Sequence, residues 1–211
     1  MACLLIFTIT ATAQTGLTLQ LVPETTAIVP GKPFRVGLFI QHEPGWHTYW
    51  QQPGIVGVPT NIEWELPPGF KAGELEYPEP ESVKMFQITA QGYERDVLLQ
   101  TQITPPSDLK PGQTISLNGK ATWMCCGDTC HPGQMKLSLD LPTAIKATPD
   151  AKWQPLFEKE RTDYARTSSA WTSQAEEEGL KVTLILTPAA GARPFSADEK
   201  VIFFTEDGWI N

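Results

Sequence analysis

Cysteine is nearly absent from this chain outside one short stretch. Cys3 stands at the N-terminus; Cys125, Cys126 and Cys130 stand together, followed directly by His131 and Pro132. Cationic clusters are also missing. Lys and Arg number 16 against 24 Asp and Glu, a formal net charge of -8, and the basic residues are scattered. That excludes a nucleic-acid footprint. The acidic surplus reads as solubility, and Glu176-Glu177-Glu178 as a solvated turn. After the N-terminal residues, no run approaches the roughly 18 consecutive apolar residues of a membrane span. There is no internal repeat and no low-complexity tract.

The N-terminus predicts a compartment. Ala2 to Ala11 is short and apolar, and Ala11-Thr12-Ala13 is a small-x-small cleavage pattern. Residues 1–13 therefore read as a secretory signal peptide, with cleavage near Ala13 and a mature start near Gln14. Cys3 would leave with it. An odd set of cysteines then enters an oxidising compartment, where one pair closes and one thiol is left over.

What the chain has in quantity is punctuation: 19 Pro and 16 Gly. They separate short apolar runs, the pattern of an all-β domain. Phe34, Val36, Leu38 and Ile40 alternate with Arg35, Gly37 and Phe39; Met135, Leu137, Leu139 and Leu141 alternate with Lys136, Ser138 and Asp140. Both have the period of two of a strand with one face inward. Further strands are predicted at Leu17–Val22, Ile62–Leu66, Val97–Ile103 and Thr114–Trp123. About seven short strands within residues 14–141 predict an immunoglobulin-like β-sandwich. A domain of this size buries an adequate core without disulfide staples, which favours a functional role for the cysteines. Residues 142–169 read as a linker followed by a helix from Ala151 to Ser168, with Trp153, Leu156, Phe157, Glu160 and Tyr164 at helical spacing. Residues 170–211 read as the start of a second β domain, either cut off or packed on the first, with strands at Leu180–Leu186 and Val201–Thr205.

Four chemistries compete for the cysteines. A structural bridge closing so short a loop gains little entropy. A metal would need Cys125, Cys126, Cys130 and His131 as a Cys₃His set, but vicinal sulfurs converge poorly on one tetrahedral ion. Covalent haem attachment needs C-x-x-C-H, and Cys126 to Cys130 is one residue too long. Thiol–disulfide exchange needs two cysteines within bridging distance near the surface, and Gly127-Asp128 supplies a loop that can bring Cys126 and Cys130 together. Asp128 would raise a thiol pKa and a protonated His131 would lower it. No metal and no organic cofactor is expected.

The motif Trp123-x-x-Cys126-x₃-Cys130-x-Pro132, closing one strand and opening another, resembles the N-terminal periplasmic domain of the DsbD family of thiol:disulfide interchange proteins. Gly45-Trp46-His47-Thr48-Tyr49-Trp50, Pro53-Gly54, Pro59, Ile62-Glu63-Trp64 and Gly92-Tyr93-Glu94-Arg95-Asp96-Val97-Leu98-Leu99 extend the resemblance over about residues 17 to 142. The resemblance implies an immunoglobulin-like sandwich carrying an active disulfide in the periplasm. It implies electrons received from a membrane-embedded partner and passed to disulfide isomerases and thioredoxin-like proteins of cytochrome c maturation. Cys126 and Cys130 match the redox pair, with Cys130 forming the mixed disulfide and Cys126 resolving it. Tyr49 matches an aromatic beside the site, and Phe86 a cap that shields the disulfide. The chain departs from the family in two ways. The best-known members space the pair by five residues rather than three, and Cys125 is extra, which leaves a Cys125–Cys130 bridge open.

The aromatics have a plainer reading as well. Trp46, Tyr49, Trp50, Trp64 and Trp123 would all serve as sandwich core. His47 reads either as a satisfied polar group beside them or, with Cys125, His131, Tyr49 and Phe86, as an accessory residue near the thiols. The rival for the whole chain is a secreted β-sandwich that docks a partner protein through its loops and carries only a structural disulfide.

Overall fold

The structure, a computed structural model, describes residues 12–164, 169–193 and 195–196, with residues 12 and 13 described by backbone alone. The predicted strand at Val201–Thr205 and most of the predicted signal peptide lie outside the described residues. The chain divides into two compact units, with the break after Tyr164.

The first unit is a β-sandwich with a helix on one face. Its elements are β1 (Thr12–Gln14), β2 (Leu17–Pro23), β3 (Phe34–His42), β4 (Thr48–Tyr49), β5 (Asn61–Glu65), β6 (Lys71–Glu76), β7 (Glu81–Met85), β8 (Ile88–Tyr93), β9 (Val97–Thr104), β10 (Thr114–Cys126), β11 (Cys130–Pro142) and α1 (Gln154–Thr162). One sheet has the order β1-β2-β3-β9-β6, the facing sheet β11-β10-β5, and a small third sheet β4-β8-β7. All named strand pairs are antiparallel.

Period-two alternation builds the core. Val36, Leu38 and Ile40 of β3 and Val97 and Leu99 of β9 face Leu117, Ala121, Trp123 and Cys125 of β10 and Leu137, Leu139 and Leu141 of β11. Each Val, Leu or Ile side chain among them that is removed from water contributes roughly 1.5–3 kcal/mol. The other face of the large sheet is covered too. Phe39, Leu98 and Val22 pack against Trp153 and Phe157 of the helical segment. The strand at β3 is therefore buried on both faces, and Gly37 is the position where that crowding leaves no room for a side chain: a Cβ there would lie 2.3 Å from the Leu98 side chain.

The helix is shorter than predicted. Asp150 explains its start: its carboxylate accepts from the backbone N–H of Lys152 at 3.0 Å and of Trp153 at 3.1 Å. That closes a turn which runs into the helix, with Pro155 in the first helical turn. The segment read as a linker is instead hydrogen-bonded to the N-terminal edge. Thr26 N–H donates to Thr148, Ile28 N–H to Pro142 and Asp150 N–H to Glu24.

The second unit contains a β-hairpin of β12 (Trp171–Glu178) and β13 (Lys181–Pro188). Here the acidic run expected as a turn is strand: Glu176, Glu177 and Glu178 lie opposite Thr183, Val182 and Lys181. A two-stranded ribbon leaves these carboxylates in water, and Glu178 faces the opposite charge of Lys181. The turn comes one step later, at Gly179, whose φ of 64° suits glycine. Among the described residues no helix is long and apolar enough to cross a membrane.

Candidate functional site

The site forms where β10 and β11 meet. Their hairpin register places Cys126 directly opposite Cys130, with Gly127, Asp128 and Thr129 between. Gly127 N–H donates to the Thr129 carbonyl at 3.0 Å and tightens the loop. The two cysteines are joined by a disulfide, their Cα atoms 4.1 Å apart.

Alternation along β10 separates the vicinal cysteines. Cys125 follows Trp123 into the main core, where it is a free, buried thiol. Burial pushes its pKa up to about 12, and Glu43 adds to the shift. Cys126 emerges on the opposite face, in a small cluster with Tyr49, Val83 and Ala90. The Cys125–Cys130 bridge and the convergent Cys₃His set are both set aside by this parity: sulfurs on neighbouring residues of one strand point to opposite sides. Cys126 is fully buried and Cys130 is partly exposed.

The segment 46–49 is stitched to the site from both sides. His47 and Cys126 exchange backbone hydrogen bonds of 2.9 and 3.0 Å. Thr48 and Tyr49 pair with Tyr93 and Gly92 of β8. The Tyr49 hydroxyl donates to Cys126 Sγ at 3.2 Å, and His47 Nε2 lies 3.3 Å from that hydroxyl. Burial raises the Tyr49 pKa, so the phenol keeps its proton and remains a donor. Burial lowers the His47 pKa, opposed by Glu94. His42 is a structural histidine: Nδ1–H donates to the Arg95 carbonyl at 2.9 Å, Nε2 accepts from Thr48 at 3.0 Å, and burial pushes its pKa down to about 4.

Trp46 lies at the same end of the sandwich, its ring 5.5 Å from that of His131, pressed against Gly16 and Gly127. His131 Nε2 sits 2.8 Å from the Thr129 hydroxyl. Phe86 occupies the turn between β7 and β8 with a φ of 55°, and it is 76% exposed. A side chain this exposed has little packed against it. Val83 and Ala90 of the same hairpin make contact with Cys126. Sequence reasoning did not single out this hairpin, nor Gly57, though the alternation of Glu81–Met85 was a usable signal.

Gly57 has a measurable duty. Its φ is 94° and a Cβ there would sit 2.3 Å from the Tyr49 ring. Gly57→Ala is expected to lower stability by about 2 kcal/mol or more, from the left-handed backbone and the clash together. Thermal unfolding of the oxidised protein measures this, and a melting point equal to that of the parent would contradict the packing described.

Two comparisons bear on this geometry. The family described as "Thiol:disulfide interchange protein DsbD, N-terminal" matches residues 18–142. The crystal structure of the N-terminal periplasmic domain of ScsB from Proteus mirabilis is similar, with a TM-score of 0.60 at 21% sequence identity. The match covers 83% of this chain and 65% of that one, so the chain spans less than two thirds of the neighbour's length. Among curated protein sequences none matches.

Proposed function

The chain belongs to the DsbD N-terminal family of thiol:disulfide interchange domains, and from that premise we propose that the Cys126–Cys130 pair is its redox centre. In the reduced state Cys130 thiolate attacks a client disulfide. One client sulfur leaves as thiolate, and a mixed disulfide to Cys130 forms. Cys126 thiolate then attacks Cys130 Sγ, the client's second thiolate departs, and the Cys126–Cys130 bond closes. Two electrons have passed to the client. A membrane-embedded partner would refill the pair, and the clients would be periplasmic thioredoxin-like or isomerase-type proteins, including those of cytochrome c maturation. Ile55, Val58 and Phe86, all exposed, offer such clients an apolar rim.

The observation that carries this reading is the asymmetry of the pair: one cysteine partly exposed, the other buried with its sulfur against a hydroxyl donor. The test is equilibration with a dithiol buffer. A pair that exchanges at a moderate potential supports the shuttle. A bridge that resists reduction below about -300 mV is structural and would favour the protein-docking alternative.

A further inference from the structure

We infer that His47, acting through the Tyr49 hydroxyl, is a positioning residue that favours the thiolate form of Cys126 when the disulfide opens. This rests on the exchange reading above and adds a residue to it.

The hydrogen-bond chain has a direction. A disulfide sulfur has lone pairs and no proton, so Tyr49 donates to Cys126 Sγ across their 3.2 Å. The phenol's single proton is thereby used. His47 Nε2, 3.3 Å from the same oxygen, must then be the donor to it, as the Nε2–H tautomer or as imidazolium. Two donors in series aim at one sulfur. The rings meet edge to face, 5.2 Å apart and 81° inclined, which fixes the line of approach. His47, Tyr49 and Cys126 are 3%, 0% and 0% exposed, and paired backbone hydrogen bonds join His47 to Cys126 directly.

Such an arrangement gains little from a neutral disulfide and much from an anion. When an incoming thiolate attacks Cys130 Sγ, a new sulfur–sulfur bond forms to Cys130. The Cys126–Cys130 bond breaks, and its electron pair leaves on Cys126. That charge appears in a site almost closed to water, directly in front of the donor chain. In the reverse step the same thiolate is the nucleophile that resolves the mixed disulfide. Charged and titratable neighbours are few. Glu94, from the turn after β8, favours the protonated imidazole. His42 is neutral above about pH 4. Glu43 acts on Cys125, whose thiol stays protonated until about pH 12.

The experiment uses the full chain reduced, with Cys3→Ser and Cys130→Ser to isolate Cys126. Thiolate ultraviolet absorbance is followed against pH. Cys125 titrates too high to interfere. His47→Phe is expected to raise the Cys126 midpoint by about one unit, equivalent to about tenfold less thiolate at neutral pH. His47→Gln, which can still donate to Tyr49 but carries no charge, is expected to fall between. A purely space-filling histidine would leave both midpoints where they were, and that result overturns the inference. If thermal melting shows His47→Phe unfolded, His47→Gln decides alone: a rise of about half a unit supports the inference, and no rise overturns it. A parent domain that fails to exchange with glutathione overturns the exchange reading itself. Unchanged midpoints in a domain that does exchange overturn only the role of His47.

Discussion

Cys126→Ala is expected to turn the domain into a trap. Mixed with an oxidised client, the variant should accumulate a covalent adduct through Cys130, visible by non-reducing electrophoresis and by mass. Cys130→Ala is expected to form no adduct and to reduce client disulfides no faster than background. The two variants remove the same disulfide, so a structural role would make them equivalent. Their expected difference comes from position alone. Cys130 is partly exposed at the loop, whereas Cys126 lies fully buried against Tyr49, Val83 and Ala90. On the proposed roles an attacking sulfur is expected to bond to Cys130 and expel Cys126. Cys125→Ala supplies the control. Its sulfur is buried in the core between the two large sheets, and burial holds it protonated, so exchange should survive its loss. Adduct formation by Cys130→Ala, or none by Cys126→Ala, would reverse the assignment of roles.

Much of this arrangement was legible in the residues. The strand at Met135–Leu141 announces itself because one face is apolar and the other is not. Phe34–Ile40 and Val97–Ile103 stand out as short apolar runs, their second face being covered as well through Phe39 and Leu98. The pairing was legible in principle too. Leu117, Ala121, Trp123 and Cys125 share a parity along β10, so Cys126 had to point away from the core. Applying the alternation through the cysteines would have closed the question of the Cys125 bridge. The third sheet was harder. β4 is two residues long, and the edge strand β6 of the large sheet is as hard to read, with Gly73 at a register shift; such pieces carry too little pattern to stand out. Proximity of His47 and Tyr49 to the sulfurs was legible only through family resemblance. They lie 77 residues from Cys126 in the case of Tyr49, and the contact depends on the backbone bridge between His47 and Cys126, which no local signal encodes. The acidic run at Glu176–Glu178 misled because its charge says only that it meets water. A two-stranded ribbon meets water as readily as a turn does.

Glu160 was legible as a helical position and illegible as a charge. It falls on the apolar stripe of α1, and it is completely buried. Arg95 holds it with Nη1 at 2.8 and 3.1 Å from the two carboxylate oxygens. The same guanidinium reaches Glu81 of β7 at 3.0 Å through Nε. The helix is thus tied to the base of the hairpin whose Val83 and Ala90 pack on Cys126. Arg95→Met is expected to cost about 3–5 kcal/mol at neutral pH, because a buried carboxylate loses its partner. Melting should fall by about 6 °C or more at this domain size. The pH dependence separates this cause from lost packing. Burial already raises the Glu160 pKa, with Arg95 pulling it back down. Without Arg95 it rises further above the value in the unfolded chain. A group with a raised folded pKa contributes its stability below the unfolded value and loses it as pH rises through the folded one. The deficit of Arg95→Met should therefore be largest at neutral pH and shrink on acidification, as Glu160 takes up a proton and no longer needs a cation. Adding Glu160→Gln to Arg95→Met should recover part of the neutral-pH loss. Denaturant unfolding of the three proteins across acid and neutral pH measures both effects. A deficit that stays constant with pH would mean that Arg95 acts by its bulk and its contacts to Glu81 and the backbone, and that the buried charge pair does not set the stability of this end of the sandwich.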